Sequence, residues 1–100
     1  MKKIFILGST GSIGRLTLDV IKMYPNRFKV ITLTADSNID LLEKQVNIFK
    51  PSLVAIANKK YANIFKNRIS SNVKVVTGIE GLKIAASHPE VNFVVSAISG

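Results

Sequence analysis

Five short apolar runs, separated by stretches of helical hydrophobic spacing, restrict this chain to an α/β architecture. The runs cover residues 3–7, 28–34, 53–57, 73–77 and 93–98 and are rich in Ile, Val, Phe or Leu. Several are continuous instead of alternating, which marks strands covered on both faces. In the first gap, Ile13, Leu16, Val20, Ile21 and Tyr24 predict one apolar helix stripe, with Arg15, Asp19 and Lys22 elsewhere. Pro25 ends that helix, because the residue before a proline is pushed out of the helical region. Asn38 is suited to cap a second helix carrying Leu42, Val46 and Phe49, which stops before Pro51. A third is expected near 60–69, with Tyr61, Ile64, Phe65 and Ile69 in step. A fourth is expected near 79–87, with Leu82, Ala85 and Ala86 inward and a stop at His88-Pro89. Short connections between strands and helices predict a Rossmann-like, doubly wound parallel sheet of about five strands with helices on both faces. The expected strand order is 4-3-2-1-5. The fifth strand then lies beside the first, and the reversal opens a crevice for a ligand.

The first strand runs directly into Gly8-Ser9-Thr10-Gly11-Ser12-Ile13-Gly14. A helix start offers unpaired N–H groups and the positive end of the peptide dipoles, and glycines let an anion come close. The spacing is G-x-x-G-x-x-G, whereas the commonest dinucleotide fingerprint is G-x-G-x-x-G, so Ser9 stands in place of its first glycine. Gly11 is expected to let the main chain close on a pyrophosphate, and Gly14 to let the helix pack near the strand. Thr10 and Ser12 add hydroxyl donors, and the N–H groups of Ser12 and Ile13 are expected to face the anion. The result is a site for a nicotinamide dinucleotide; the plain alternative is a tight turn that contains glycine.

Two further segments belong to that crevice. Ala35-Asp36-Ser37-Asn38 closes the second strand, where this fold faces the adenosine ribose. Asp36 there would accept hydrogen bonds from ribose hydroxyls, favouring the cofactor without a 2′-phosphate. Ser37 and Asn38 would instead hold a phosphate if Asp36 and Asp40 turn away; the other reading is a helix cap. The end of the fifth strand, Ser96-Ala97-Ile98-Ser99-Gly100, is either a small-residue wall for the nicotinamide half or a plain strand end.

The rest of the chain narrows the function by what it lacks. No apolar stretch approaches the roughly 20 residues that cross a bilayer, so no membrane partner is expected. The basic start Met1-Lys2-Lys3 is followed by an apolar run too short for a secretion signal. Zero cysteines exclude disulfides and thiolate metal sites. The net charge of +8 is spread from Lys2 to Lys83, with aromatics few and not interleaved, which reads as a solvated surface and not a nucleic-acid face. The surplus still steers a phosphorylated cofactor inward. His88 reads as a surface cap, and no carboxylate pair is placed for acid–base or metal work, so no catalytic or metal-binding residue is expected. Phe5, Phe28 and Phe93 read as core.

Ile6 to Gly14, followed by Thr17-Leu18-Asp19-Val20, resembles the N-terminus of the 1-deoxy-D-xylulose 5-phosphate reductoisomerases. Ser37-Asn38 and the closing Val95-Ser96-Ala97-Ile98-Ser99-Gly100 are similar too, so the resemblance covers the whole chain. It implies NADPH as cofactor, with Thr10, Gly11, Ser12 and Ile13 on its phosphates and Ser37 and Asn38 around the 2′-phosphate. It also implies a cytoplasmic, homodimeric enzyme of non-mevalonate isoprenoid synthesis. Such an enzyme isomerises its sugar-phosphate substrate and reduces it to 2-C-methyl-D-erythritol 4-phosphate, with a divalent Mg or Mn ion holding the substrate. Asp36 departs from the glycine of many members. The family's metal ligands, substrate-phosphate residues and lid come later in its chain. Residues 1–100 are therefore expected to be a dinucleotide-binding domain without the catalytic domain, inactive alone. The rival readings are the cofactor domain of another NAD(P)-dependent dehydrogenase, a non-enzymatic nucleotide-sensing domain, and a nucleic-acid binder acting through charge.

Overall fold

The computed structural model describes residues 1–70 and 72–98. Strands and helices alternate: β1 (Lys2–Leu7), α1 (Ser12–Met23), β2 (Phe28–Ala35), α2 (Ile39–Phe49), β3 (Leu53–Ile56), α3 (Lys59–Lys66), β4 (Lys74–Thr77), α4 (Gly78–Ala86) and β5 (Phe93–Ser96). All pairings are parallel and the order is β4-β3-β2-β1-β5, as the alternation predicts. Growth runs one way from β1 to β4 and then returns to β5, so β1 and β5 flank the reversal.

Successive strand residues point to opposite faces, and the two faces build two cores. On one, Ile4, Ile6, Val54 and Ile56 meet Leu18 and Ile21 of α1, Leu42 and Val46 of α2, and Ala62 and Phe65 of α3. On the other, Phe5, Leu53 and Ala55 meet Ala85 of α4, with Leu82 and Val76 beside them. Three helices on one face and one on the other follow from right-handed crossovers that change direction once. Between Ile4 and Phe5 the register against β2 shifts, so Ile4 pairs with Val30 and Phe5 with Thr32.

Four packing expectations need correction. The side of α1 that meets the sheet is Gly14, Leu18 and Ile21; of the expected stripe only Ile21 lies on it, and Ile13, Leu16, Val20 and Tyr24 do not. Ile13 is 53% and Leu16 64% exposed, and Val20 and Tyr24 also face solvent. The 3.6-residue period holds, but its phase is set by Gly14, the only residue in that turn small enough to touch the strand end. In α3, which stops at Lys66, Ala62 is buried in place of Ile64. In α4, Gly81 and not Ala86 turns inward beside Ala85, because Gly81 abuts the Val76 backbone. Phe93 is 42% exposed, since β5 is the outermost strand on that side among the described residues, and Lys2 Nζ lies 4.6 Å from its ring centre.

Candidate functional site

β1 ends at Leu7 and the chain turns sharply through Gly8, whose φ of +85° lies where a side chain is strained. The turn is tied to β2: the Gly8 N–H donates to Thr34 Oγ1 at 2.8 Å and the Ser9 N–H to the Thr34 carbonyl at 2.9 Å. Helix α1 then starts against the turn. A Cβ on Gly14 would lie 2.7 Å from Ser9 Cα and 2.8 Å from Ser9 C, inside any real carbon–carbon contact. Gly14 is therefore required by close approach, as the sequence suggests. Gly11 is the N-cap of α1, and the first helical bond runs from the Arg15 N–H to the Gly11 carbonyl at 2.9 Å. The preceding amides, including those of Ser12 and Ile13, have no partner within the helix. Among the described residues no side chain caps α1, and no acid sits in its first turn. Side chains do cap α2 and α3, where Asn38 and Asn58 accept from Leu41 N and Lys60 N.

This turn borders a cleft of about 300 Å³ at the carboxyl ends of the strands. Leu7, Gly8, Thr10 and Gly11 line it from β1 and its loop, and Thr34, Ala35 and Asp36 from β2. Ala57, Leu82, Ala97 and Ile98 complete it from β3, α4 and the end of β5. A larger cleft, about 490 Å³, lies among Ser52, Lys74 and His88, by the amino ends of β3 and β4. Open parallel sheets bind ligands outside the carboxyl ends, at the reversal of strand order, so the smaller cleft is the candidate.

The structure brings some expected residues together and separates others. Thr10, Gly11 and Asp36 face one cleft. Ser12 and Ile13 stand exposed at the head of α1, outside its lining, and Ser37 and Asn38 stand exposed at the head of α2. Asn38 is a helix cap, its Oδ1 accepting from the Leu41 N–H at 3.3 Å. Asp40 turns away to Arg68, with Nη1 at 2.6 Å from Oδ1 and Glu43 at 3.7 Å. That hydrogen bond, with the charges of Asp40 and Glu43, raises the Arg68 pKa above its ordinary value. One of the two acids that would oppose a phosphate here is thus already paired. Ala97 and Ile98 line the cleft, while Ser99 and Gly100 lie outside the described residues. His88 accepts from the Glu90 N–H at 3.2 Å through Nδ1, a turn contact. Among the described residues no three His, Cys, Asp or Glu side chains converge.

The sequence reading missed Thr34, Leu82 and Gln45. Leu82 and Thr34 come from elements with no motif, placed by topology alone. Gln45 gave a signal: it stands on the inward face of α2 beside Leu42 and Val46, where a polar side chain must find a partner.

Strand order, the turn after β1 and the cleft at the reversal define a Rossmann-like, doubly wound α/β domain. The family model described as 1-deoxy-D-xylulose 5-phosphate reductoisomerase matches residues 4–100, and the chain belongs to that family. It is 47% identical over its full length to 1-deoxy-D-xylulose 5-phosphate reductoisomerase 1 of Bacillus thuringiensis subsp. konkukian, covering 26% of that protein. It is 45% identical to the 1-deoxy-D-xylulose 5-phosphate reductoisomerase of Geotalea uraniireducens, again covering 26%. The chain thus spans about a quarter of the length of the curated relatives it matches. Among solved structures, the Zymomonas mobilis reductoisomerase in complex with NADPH superposes with a TM-score of 0.90 at 32% identity, over 99% of this chain and 26% of that one. A DOX-P reductoisomerase in complex with NADPH, fosmidomycin and magnesium gives 0.91 at 34% identity, over 100% of this chain and 25% of that one.

Proposed function

We propose that this chain is the NADPH-binding domain, over residues 1–100, of a 1-deoxy-D-xylulose 5-phosphate reductoisomerase. One observation carries the reading: an uncapped helix start, pressed against a glycine turn, opens on the crevice where strand order reverses. The relatives solved with NADPH share this fold at over 30% identity. Bound NADPH supplies a hydride; the chain supplies position and electrostatics. Thr10 and Gly11 would border its diphosphate, the amides of Ser12 and Ile13 would face that charge, and Asp36 to Asn38 would lie along the adenosine ribose. The present residues fit such a group: the Gly14 contact leaves no room for a side chain between loop and helix, and the Gly11 position is open.

The reaction proposed for the whole enzyme is isomerisation and NADPH-dependent reduction of 1-deoxy-D-xylulose 5-phosphate to 2-C-methyl-D-erythritol 4-phosphate. Family membership supports a cytoplasmic homodimer, with Mg or Mn and the sugar phosphate held outside these residues. Among the described residues, no helix is long and apolar enough to cross a membrane. The chain alone is expected to bind the dinucleotide weakly and to reduce nothing.

Titration with NADPH and NADH side by side, in the wild type and in Asp36→Gly, tests the reading. Saturable binding of NADPH is expected, and the substitution should improve NADPH more than NADH by removing a carboxylate near the 2′-phosphate. Absence of saturable binding of either nucleotide refutes the cofactor site. Equal effects on both nucleotides remove Asp36 from the choice between them.

A further inference from the structure

Among the described residues, the buried polar side chains are Ser9, Thr32, Thr34 and Gln45. Three of the four form one network. Gln45 Nε2 donates to the Ser9 carbonyl at 2.8 Å, and Ser9 Oγ donates to Gln45 Oε1 at 2.8 Å, with the Thr34 carbonyl farther off at 3.3 Å. The Gly8 N–H donates to Thr34 Oγ1 at 2.8 Å. Burying a primary amide is costly unless both its ends are bonded. Gln45 makes both bonds to a single residue of the glycine loop, 36 positions away.

Packing alone does not call for this arrangement. Leu42 and Val46 already fill the same side of α2, so the apolar core does not need an amide between them; the polar demand comes from buried Ser9, whose carbonyl would lose its Gln45 bond if a leucine stood there. What the amide adds is direction. The peptide group is planar, so fixing the Ser9 carbonyl also fixes the Thr10 N–H across the same bond. Thr10 lies in the cleft lining. Helix α2 also begins beside Asp36, capped by Asn38. One eleven-residue helix therefore starts at the ribose segment and grips the glycine loop farther along.

We propose that Gln45 is a positioning residue: through Ser9 it sets the orientation of the Ser9–Thr10 peptide and holds the glycine loop at a fixed spacing from the ribose segment. The proposal rests on the cofactor reading above for its consequence, but not for the geometry. Gln45 touches neither cofactor nor substrate; it acts through Ser9.

The test uses Gln45→Met, which keeps length and removes both bonds, and Ser9→Ala, which removes only the hydroxyl and leaves the Ser9 carbonyl in place. Each is compared with the wild-type chain for NADPH dissociation constant, read well below its own unfolding temperature, and for amide exchange at Gly8 and Ser9 without nucleotide. Gln45→Met should weaken NADPH about tenfold, the scale of one buried hydrogen-bonded pair, and Ser9→Ala about threefold. Adding Ser9→Ala to Gln45→Met should cost little more, because the partner is already gone. Exchange at Gly8 and Ser9 should rise in both variants. A purely structural role lowers the unfolding temperature yet leaves the folded protein's NADPH affinity and loop exchange unchanged, and that result overturns the proposal. If Gln45→Met does not fold, Ser9→Ala decides by the same two readouts. Faster loop exchange in a chain whose wild type binds no NADPH would refute the cofactor reading while sustaining the clamp.

Discussion

Replacing Gly14 and Gly11 by alanine separates what the glycine loop does for the fold from what it does for a ligand. At Gly14, the new Cβ would sit 2.7 Å from Ser9 Cα and 2.8 Å from Ser9 C, and closer still to the Gly8 carbonyl. Restoring ordinary carbon contacts of about 3.5 Å to Ser9 requires helix and loop to part by about 0.8 Å, and relieving the Gly8 carbonyl requires more. All three near atoms are backbone, so no side chain can swing away. Ser9 is also held at 2.8–2.9 Å by Gln45 and Thr34, and a shift of that size weakens those bonds. Overpacking costs about 1–3 kcal/mol and a compromised buried hydrogen bond about 1–3 kcal/mol. The helical preference for alanine returns at most about 1 kcal/mol. The net expected loss is roughly 1–5 kcal/mol, or roughly 4–40 °C in unfolding temperature for a domain this size. At Gly11 the nearest atoms to a Cβ are the Gly8 carbonyl at 3.7 Å and the Ala97 carbonyl at 3.9 Å, and φ −75°, ψ 172° suits any residue. Gly11→Ala should therefore leave stability within about 1 kcal/mol while its methyl stands in the crevice and weakens NADPH about tenfold or more. Thermal unfolding by circular dichroism and NADPH titration by fluorescence read the two effects. Wild-type stability in Gly14→Ala would refute the close-approach argument, and wild-type affinity in Gly11→Ala would refute the placement of the diphosphate.

Three further outcomes follow from burial and charge. Leu18→Ala should cost about 2–5 kcal/mol, as a buried leucine does, whereas Leu16→Ala should change stability by less than about 0.5 kcal/mol; equal losses would contradict the observed phase of α1. Thr32→Val should stabilise the fold by about 1 kcal/mol, because the buried Thr32 hydroxyl has no partner among the described residues, and a lower denaturant midpoint would refute that. Arg68→Ala removes a surface ion pair and should leave the unfolding temperature almost unchanged, the more so in high salt, while exposing NADPH to an unpaired Asp40; unchanged NADPH affinity would show that Asp40 lies too far to matter.

The strand order was legible because two signals agree. Short apolar runs fix five strands, and short connections with right-handed crossovers leave few ways to stack them. The glycine loop was legible because its chemistry is local: strand, turn and helix start are contiguous in the chain. Asn38 was legible only as a choice between cap and phosphate ligand; the Leu41 contact shows a cap, which engages Oδ1 alone. Thr34 and Leu82 were not legible. Their place in the cleft depends on which strand neighbours which and on where α4 crosses the far face, information no window around either residue contains. The exposure of Phe93 goes with its place on β5, the outermost strand on that side among the described residues, which hydrophobicity alone does not report.

The phase of α1 shows why a correct period can still give the wrong face. Two apolar flanks compete on this helix: Ile13, Leu16, Val20 and Tyr24 on one and Leu18 on the other, with Ile21, counted in the expected stripe, at the border between them. Counting apolar residues favours the first. The structure chooses the second because helix and strand end must come within contact distance at the glycine turn, and only Gly14 permits it. Once Gly14 is pinned there, residues four and seven positions on share its side, and those are Leu18 and Ile21. The deciding information was thus present in the sequence, in a residue without a side chain. In a glycine-loop domain the helix face is set by where the backbone must approach, and hydrophobicity fills in around that point. The same requirement that seats the Gly11 start of α1 at the cleft therefore decides which leucine enters the core.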